Sequence, residues 1–274
     1  MEEKRRFRPS RKLGQNFLID TQVARRIVGA AAIEPGEPVI DIGAGTGALT
    51  RHLLEHPSNP RVTAVEIDKR LAEELERRFG DGSRFELVRA DILRVPVDRL
   101  LPGAPAQGVV LTNAPYSISG ALLRWLMQAA PRIDRIVAMF QEEVIERILA
   151  EPGNKTYAML TVACRFHFRV ERCFSVHAGA FRPRPRVEST VIRLIPHRTP
   201  PVAVVDSGLF MSVARAAFSQ RRKTLRNSLR AGAKSLPGGA EAVDRALERA
   251  GIDPGLRAEM LDLDDYARLA NGFG

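Results

Sequence analysis

Between residues 39 and 140 five short runs of β-branched and aliphatic residues recur, with helical apolar spacing after most of them. Val39–Ile42, Val62–Ile67, Phe85–Val88, Gly108–Thr112 and Ile136–Phe140 read as strands. Leu49, Leu53 and Leu54, then Leu71, Leu75 and Phe79, then Leu122, Leu123, Leu126 and Met127 fall on single helical faces. Strands that alternate with helices require crossover connections, and these give a mostly parallel sheet with helices on both faces. Two further alternating runs, about 159–170 and 189–195, predict an antiparallel pair at the sheet edge. The proline-rich stretch 196–201 reads as a linker. Helical spacing follows at about 206–219, 222–232, 239–250 and 262–270. The expected organisation is a sheet domain over 1–200, opening on a basic arm at 1–12, and a small all-helical domain over 201–274.

The first strand runs into Asp41-Ile42-Gly43-Ala44-Gly45-Thr46-Gly47. Glycines at Gly43, Gly45 and Gly47 permit positive φ and bring backbone close to a ligand, and a helix N-terminus adds amide donors. The spacing GxGxG is neither the GxGxxG of dinucleotide enzymes nor a GxxxxGK[ST] phosphate loop. Alone, it is also the pattern of a tight strand-to-helix turn. Glu66, at the end of the second strand, can accept both hydroxyls of a ribose. Asp91, after the third, can accept a hydrogen bond from an adenine amine, with Ile67 and Ile92 on the two faces of that base. Each acid alone is equally a solvated strand end. Together they describe a nucleoside pocket without a pyrophosphate cradle, which suits S-adenosylmethionine better than NAD.

Asn113-Ala114-Pro115-Tyr116 closes the fourth strand. The lone pair of an adenine N6 amine is delocalised into the ring, so the amine is a poor nucleophile. Two acceptors, one per N–H, draw it toward tetrahedral geometry and aim the lone pair. The Asn113 side-chain oxygen and the Ala114 carbonyl can supply them. Pro115 fixes the turn and Tyr116 can stack on the base. Methyl transfer from a sulfonium asks for alignment and charge placement, not for a metal. The four residues alone are also a common strand-terminating turn.

In this order and spacing the motifs resemble the ribosomal RNA adenine N6-dimethyltransferases, and the likeness runs from about Gly14 to Leu229. Gln15-Asn16-Phe17-Leu18 is similar to the family's N-terminal cofactor motif, and Phe181-Arg182-Pro183-Arg184-Pro185-Arg186-Val187-Glu188-Ser189 to its FxPxPxVxS segment. Gln220-Arg221-Arg222-Lys223-Thr224-Leu225-Arg226-Asn227 resembles the basic segment of its small-subunit branch. The resemblance implies a Rossmann-like class I methyltransferase domain with a seven-stranded sheet. It places Phe181 on the target adenine opposite Tyr116. It implies N6 dimethylation of two adjacent adenines near the 3′ end of 16S rRNA, in the small ribosomal subunit or its precursor. S-adenosyl-L-methionine would be consumed and S-adenosyl-L-homocysteine released. The chain departs from the family at Ala114, where leucine or isoleucine is usual; an acceptor acting through its carbonyl survives that change.

Charge agrees with such a substrate. The formal net charge is +10, and from Met211 to Ala240 there are seven basic residues and no acidic one. Six more (Lys4, Arg5, Arg6, Arg8, Arg11 and Lys12) crowd the N-terminus. Such clusters neutralise phosphates; Arg182, Arg184, Arg186, Arg221, Arg222, Lys223 and Arg226 are the candidate RNA contacts. His52 and His56 have metal-pair spacing without a third ligand, so a solvated helix end is expected and no metal. Cys164 and Cys173 form no disulfide framework and read as buried strand residues. With no apolar span or secretory leader, a cytoplasmic protein is expected, without a membrane or an obligate protein partner. The competing readings are the large-subunit branch, which modifies one 23S rRNA adenine and confers macrolide-type resistance; a non-catalytic RNA-binding assembly factor; and a DNA adenine methyltransferase.

Overall fold

The structure is a computed structural model that describes residues 9–10, 14–102 and 107–274. The basic N-terminal arm expected at 1–12 falls almost wholly outside the described residues. The chain divides into two compact units, one of 1–142 with 170–196 and the other of 143–169 with 197–274. The helical unit therefore takes in more than the expected 201–274: residues 143–169 leave the middle of the sheet unit and join it.

In the sheet unit the strands are β1 (Phe17–Leu18), β2 (Pro38–Ile42), β3 (Arg61–Glu66), β4 (Phe85–Arg89), β5 (Gly108–Thr112), β6 (Ile133–Gln141), β7 (Phe168–Val176), whose first two residues belong to the helical unit, β8 (Phe181–Arg182) and β9 (Ser189–Pro196). The helices are α1 (Thr21–Ala30), α2 (Ala48–Leu54), α3 (Lys69–Phe79), α4 (Val97–Leu100) and α5 (Ser119–Ala129). Seven strands form one sheet in the order β4-β3-β2-β5-β6-β9-β7. β4, β3, β2, β5 and β6 are parallel, and β9 runs antiparallel to β6. β2 and β5 bury nearly every side chain, as strands covered on both faces must. The direction of winding reverses between β2 and β5, since β2 leads outward to β3 and β4 before the chain crosses to β5. Ligands bind beyond the carboxyl ends of strands at such a reversal. A separate two-stranded ribbon pairs β1 with β8, setting Phe17 opposite Arg182 and Leu18 opposite Phe181.

Aspartates start two of the helices named so far. Asp20 accepts from the amides of Gln22 and Val23 at the head of α1, and Asp68 from that of Arg70 at the head of α3. One apolar cluster packs α1 and α2 against the sheet through Ile27, Val28, Leu49, Leu53, Val39 and Val109.

The helical unit comprises α6 (Glu142–Ile148), whose first residue belongs to the sheet unit, α7 (Met159–His167), α8 (Ser207–Ala217), α9 (Leu225–Ala231), α10 (Gly239–Ala250) and α11 (Leu263–Gly272). Its core gathers Tyr157, Phe166, Phe210, Leu225, Leu229, Leu247 and Tyr266. Phe166 and Phe210 stack with ring centroids 4.1 Å apart.

Two expectations fail here. The run at 159–170 is helix to His167 and strand only from Phe168, so β7, not that run, lies beside β9 at the sheet edge. Cys164 is accordingly a buried helix residue, its thiol pushed up to about 12 by burial, and Cys173 is an exposed strand residue. Among the described residues no helix is long and apolar enough to cross a membrane.

Candidate active site

Beyond the carboxyl ends of β2, β3, β4 and β5 the chain encloses one pocket. Gly43 to Thr46, Glu66 and Ile67, Ala90 to Leu93, and Asn113 to Pro115 line it, with Gln15 to Leu18 from the N-terminal segment. The glycine turn shapes its floor. Gly43, Gly45 and Gly47 all hold positive φ, at +70°, +58° and +79°. After Ile42 the backbone swings toward β3, and the Gly43 amide donates to the Val65 carbonyl at 2.9 Å. At Gly43 the backbone also comes close to the next turn, where a Cβ would stand 3.4 Å from Ala114 Cα.

Glu66 secures the other side of this turn. Its Oε2 accepts from the Gly45 amide at 2.8 Å and its Oε1 from the Asp68 amide at 2.8 Å. Both oxygens keep further lone pairs. Burial raises its pKa, opposed by these backbone donors. Asp68 in turn takes the Arg70 guanidinium and the Gln15 amide, and Arg70 beside it holds the Asp68 carboxyl below its usual range. Gln15 thereby ties the N-terminal segment to the pocket rim, its Oε1 accepting from the Ser10 amide at 2.8 Å.

Farther along, Asp91 spends Oδ1 on the Leu93 amide at 3.0 Å. Ile92 is buried, whereas Ile67 is 53% exposed. An isoleucine left in water at a pocket edge, with a second buried below, suits a flat aromatic ligand between them. At the end of β5 the half-buried Asn113 side chain makes no hydrogen bond to another described residue. The neighbouring Ala114 amide donates to Thr112 Oγ1 at 3.1 Å.

A model of ribosomal RNA adenine dimethylases matches residues 6–273. The chain belongs to that family. It is 40% identical over 272 residues to the ribosomal RNA small subunit methyltransferase A of Pseudomonas putida, covering 99% of this chain and 97% of that one. Among solved structures it is similar to a dimethyladenosine transferase from Plasmodium falciparum, with TM-score 0.75 and 26% identity, covering 92% and 95% of the two chains. It is also similar to the 23S rRNA methyltransferase ErmE, with TM-score 0.66 and 26% identity over 94% and 99%. The sheet unit has the class I methyltransferase fold of this family.

Within it, Gln15, Asn16, Phe17, Leu18, Gly43, Gly45, Glu66, Ile67, Asp91, Ile92, Asn113, Ala114 and Pro115 meet around one pocket. Four expected site residues stand elsewhere. Asp41 is 1% exposed and turns toward α2, where its Oδ2 accepts from Thr50 Oγ1 at 2.6 Å. Burial pushes its carboxyl up to about 7. It fastens strand to helix and does not line the pocket. Gly47 lies beneath α3, where a Cβ would come within 2.8 Å of the Phe79 ring; its smallness serves packing. Phe181 is 3% exposed in the core with Leu18, Ala24, Ile27 and Val28. It is paired opposite Leu18 and does not line the pocket, while Arg182 is exposed. Tyr116 leaves the pocket lining and bonds its hydroxyl to Ser189 Oγ at 2.5 Å, and burial raises its pKa.

The basic candidates also divide. Arg182, Arg184, Arg186, Arg222 and Lys223 are exposed. Arg221 donates to the Lys155 carbonyl at 2.6 Å, and Arg226 pairs with Asp244, which also binds Arg230. His52 lies 3.7 Å from Glu55, and His56 accepts from the Ser58 amide, so the pair turns to separate partners. Among the described residues no three His, Cys, Asp or Glu groups converge on one point. Thr50 and Thr112 were missed by sequence reasoning: both act through one hydroxyl on a distant strand or carbonyl, and no local pattern marks them.

Proposed function

We propose that the chain transfers methyl groups from S-adenosylmethionine to N6 of two adjacent adenines near the 3′ end of 16S rRNA, giving N6,N6-dimethyladenosines during small-subunit maturation. Family membership makes it a ribosomal RNA adenine dimethyltransferase. The small-subunit substrate rests on relatives such as the Pseudomonas putida protein, whose name specifies that subunit.

The residues present fit the cofactor. The Glu66 oxygens keep lone pairs for ribose hydroxyls after serving Gly45 and Asp68. Ile67 and Ile92 flank an adenine, and Asp91 has one oxygen left for its amine. The glycine turn admits a ligand against backbone. When bound, S-adenosylmethionine supplies an electrophilic methyl group.

One observation carries the reading: the Asn113 side chain, without a hydrogen bond to another described residue, lines the same pocket as the glycine turn. Its Oδ1 and the Ala114 carbonyl accept the two N–H bonds of a target amine. They hold its lone pair toward the methyl group, which is alignment more than base catalysis. Pro115 stiffens the turn. Tyr116, braced by Ser189, offers a ring to the base. The adenine must arrive unpaired or extruded, because pairing occupies its N6. Exposed Arg182, Arg184, Arg186, Arg222 and Lys223 supply phosphate contacts. Arg221 and Arg226 already have protein partners and contribute less.

Unmethylated small subunits incubated with the protein and labelled cofactor, followed by mapping of modified bases, test this. Dimethylation of two adjacent adenines near the 16S 3′ end is expected. Label entering only isolated large subunits would transfer the protein to the 23S reading; no label in either would remove the catalytic one.

A further inference from the structure

We infer that Thr112 is a positioning residue whose buried hydroxyl locks the Asn113–Ala114 turn to the end of the neighbouring strand β2, an inference that rests on the methylation reading above. The register of β2 against β5 ends at the pair Ile42 and Thr112. Past that pair the strands part, and this parting opens the pocket. The Gly43 and Ala44 amides go to the Val65 carbonyl on β3, at 2.9 and 3.3 Å. The Ala114 amide, two residues past the end of β5, therefore faces no further ladder partner on β2. A buried amide without a partner is costly, so something must replace the ladder.

The Thr112 side chain does so. Its Oγ1 donates to the Ile42 carbonyl at 3.2 Å and accepts from the Ala114 amide at 3.1 Å. Thr112 is fully buried, Ile42 is 1% exposed and Ala114 is 7% exposed, so water does not compete for these bonds. One hydroxyl thus joins the last residue of β2, which leads into the glycine turn, to the residue whose carbonyl is the second amine acceptor. Fixing the Ala114 amide fixes the peptide between Asn113 and Ala114, the stretch of backbone from which both acceptors project. Ala114 itself has only a methyl group with which to wedge the turn in place, so the hydroxyl has more to hold.

The demand on the lock differs between the two methyl transfers. An unmethylated amine offers two N–H bonds and is held at two points. A monomethylated amine offers one, so its orientation depends more on how firmly the remaining acceptor is fixed. Loosening the turn should slow the second transfer more than the first.

Thr112→Val keeps the branched shape and removes both bonds; Thr112→Ser keeps the hydroxyl. Each is compared with wild type on unmethylated small subunits, measuring kcat, cofactor affinity by calorimetry, thermal midpoint and the ratio of monomethyl to dimethyl adenine. For Thr112→Val we expect kcat roughly ten- to a hundredfold lower. Monomethyladenine should accumulate while cofactor affinity stays within about threefold. Thr112→Ser should regain most of the rate and the wild-type product ratio. Wild-type protein reports on the methylation reading itself, so its failure is separate from failure of this inference. Wild-type kcat and product ratio in Thr112→Val would overturn the inference. So would an equal defect in Thr112→Ser, a loss of rate matched by loss of cofactor affinity, or a valine variant that does not fold.

Discussion

Asn113 and Asp41 are polar side chains at the ends of adjacent parallel strands, and their surroundings give them opposite work. Asn113 is half-buried at the pocket with no described partner, so its amide oxygen is available to a substrate. Asn113→Ala should lower kcat roughly a hundredfold, the scale of one lost transition-state donor or acceptor. It should leave cofactor affinity within about threefold, because the glycine turn, Glu66 and Asp91 are untouched; calorimetry beside single-turnover rates checks this. Asp41 is sealed beneath α2, and burial raises its carboxyl to about 7 from 3.8. The folded state therefore holds the Asp41 proton more tightly than the unfolded state does. Stability from that proton is complete in acid and is lost as pH rises through 7. Asp41→Asn keeps an acceptor for Thr50 without the charge. Its thermal midpoint should exceed that of wild type at pH 8 and match it near pH 4. The difference has an upper bound of about 4 kcal/mol, at 1.36 kcal/mol per unit. A variant less stable than wild type at pH 8 would show that the charge serves the fold.

Helix packing turns one chemical change into effects of opposite sign at the level of elements. Gly232 ends α9, and a Cβ there would stand 2.7 Å from Ala216 Cα on α8. Backbone cannot yield as a side-chain tip can, so Gly232→Ala should destabilise by about 1–3 kcal/mol. Gly29, inside α1, has nothing within 4 Å of its would-be Cβ. Gly29→Ala should stabilise by about 0.5–1 kcal/mol, since alanine loses less backbone freedom on folding. Paired melting curves test both signs. The parallel strands were legible in the sequence because each is a short run with β-branched or other apolar residues bounded by turns, and β5 falls where its apolar run does. That Glu66, Asp91, Gly43 and Gly45 gather at one pocket was legible because strand ends set their spacing; Asp41 and Gly47, in the same motif, were not separable from them by spacing alone. α7 was not. Thr161, Val162, Ala163, Cys164 and Phe166 are all buried, so its apolar pattern lacks a polar face and its β-branched residues read as strand. Its start depends on Thr161 Oγ1, which takes the Ala158 amide and donates to the Arg147 carbonyl, fourteen residues back. The burial of Phe181 was not legible for a related reason: which face a residue in a two-stranded ribbon presents is set by its partner's register, here with β1, more than 160 residues away.

A net charge of +10 gives the whole molecule an affinity for RNA that needs no sequence recognition. How that charge is spent matters more than its total. Arg226 and Arg230 share Asp244, with contacts of 2.9 and 2.6 Å, and Arg221 is held by the Lys155 carbonyl. Exposed pairs of this kind contribute little to stability but compete for the cation. Arg222 and Lys223 are exposed in the turn before α9 and make no ion pair or hydrogen bond to another described residue. Neutralising Arg222 and Lys223 together should weaken binding to small-subunit RNA at low salt. It should flatten the slope of log affinity against log salt by about 1 to 2, since each phosphate contact contributes roughly 0.7–0.9. Neutralising Arg226 should change the slope by less than half as much, because its charge is already answered by Asp244. Filter binding across a salt series separates the two. A slope change for Arg226 fully half that of the double variant, one phosphate contact against two, would mean that Asp244 releases Arg226 to the RNA and that this ion pair is exchanged for a phosphate on binding.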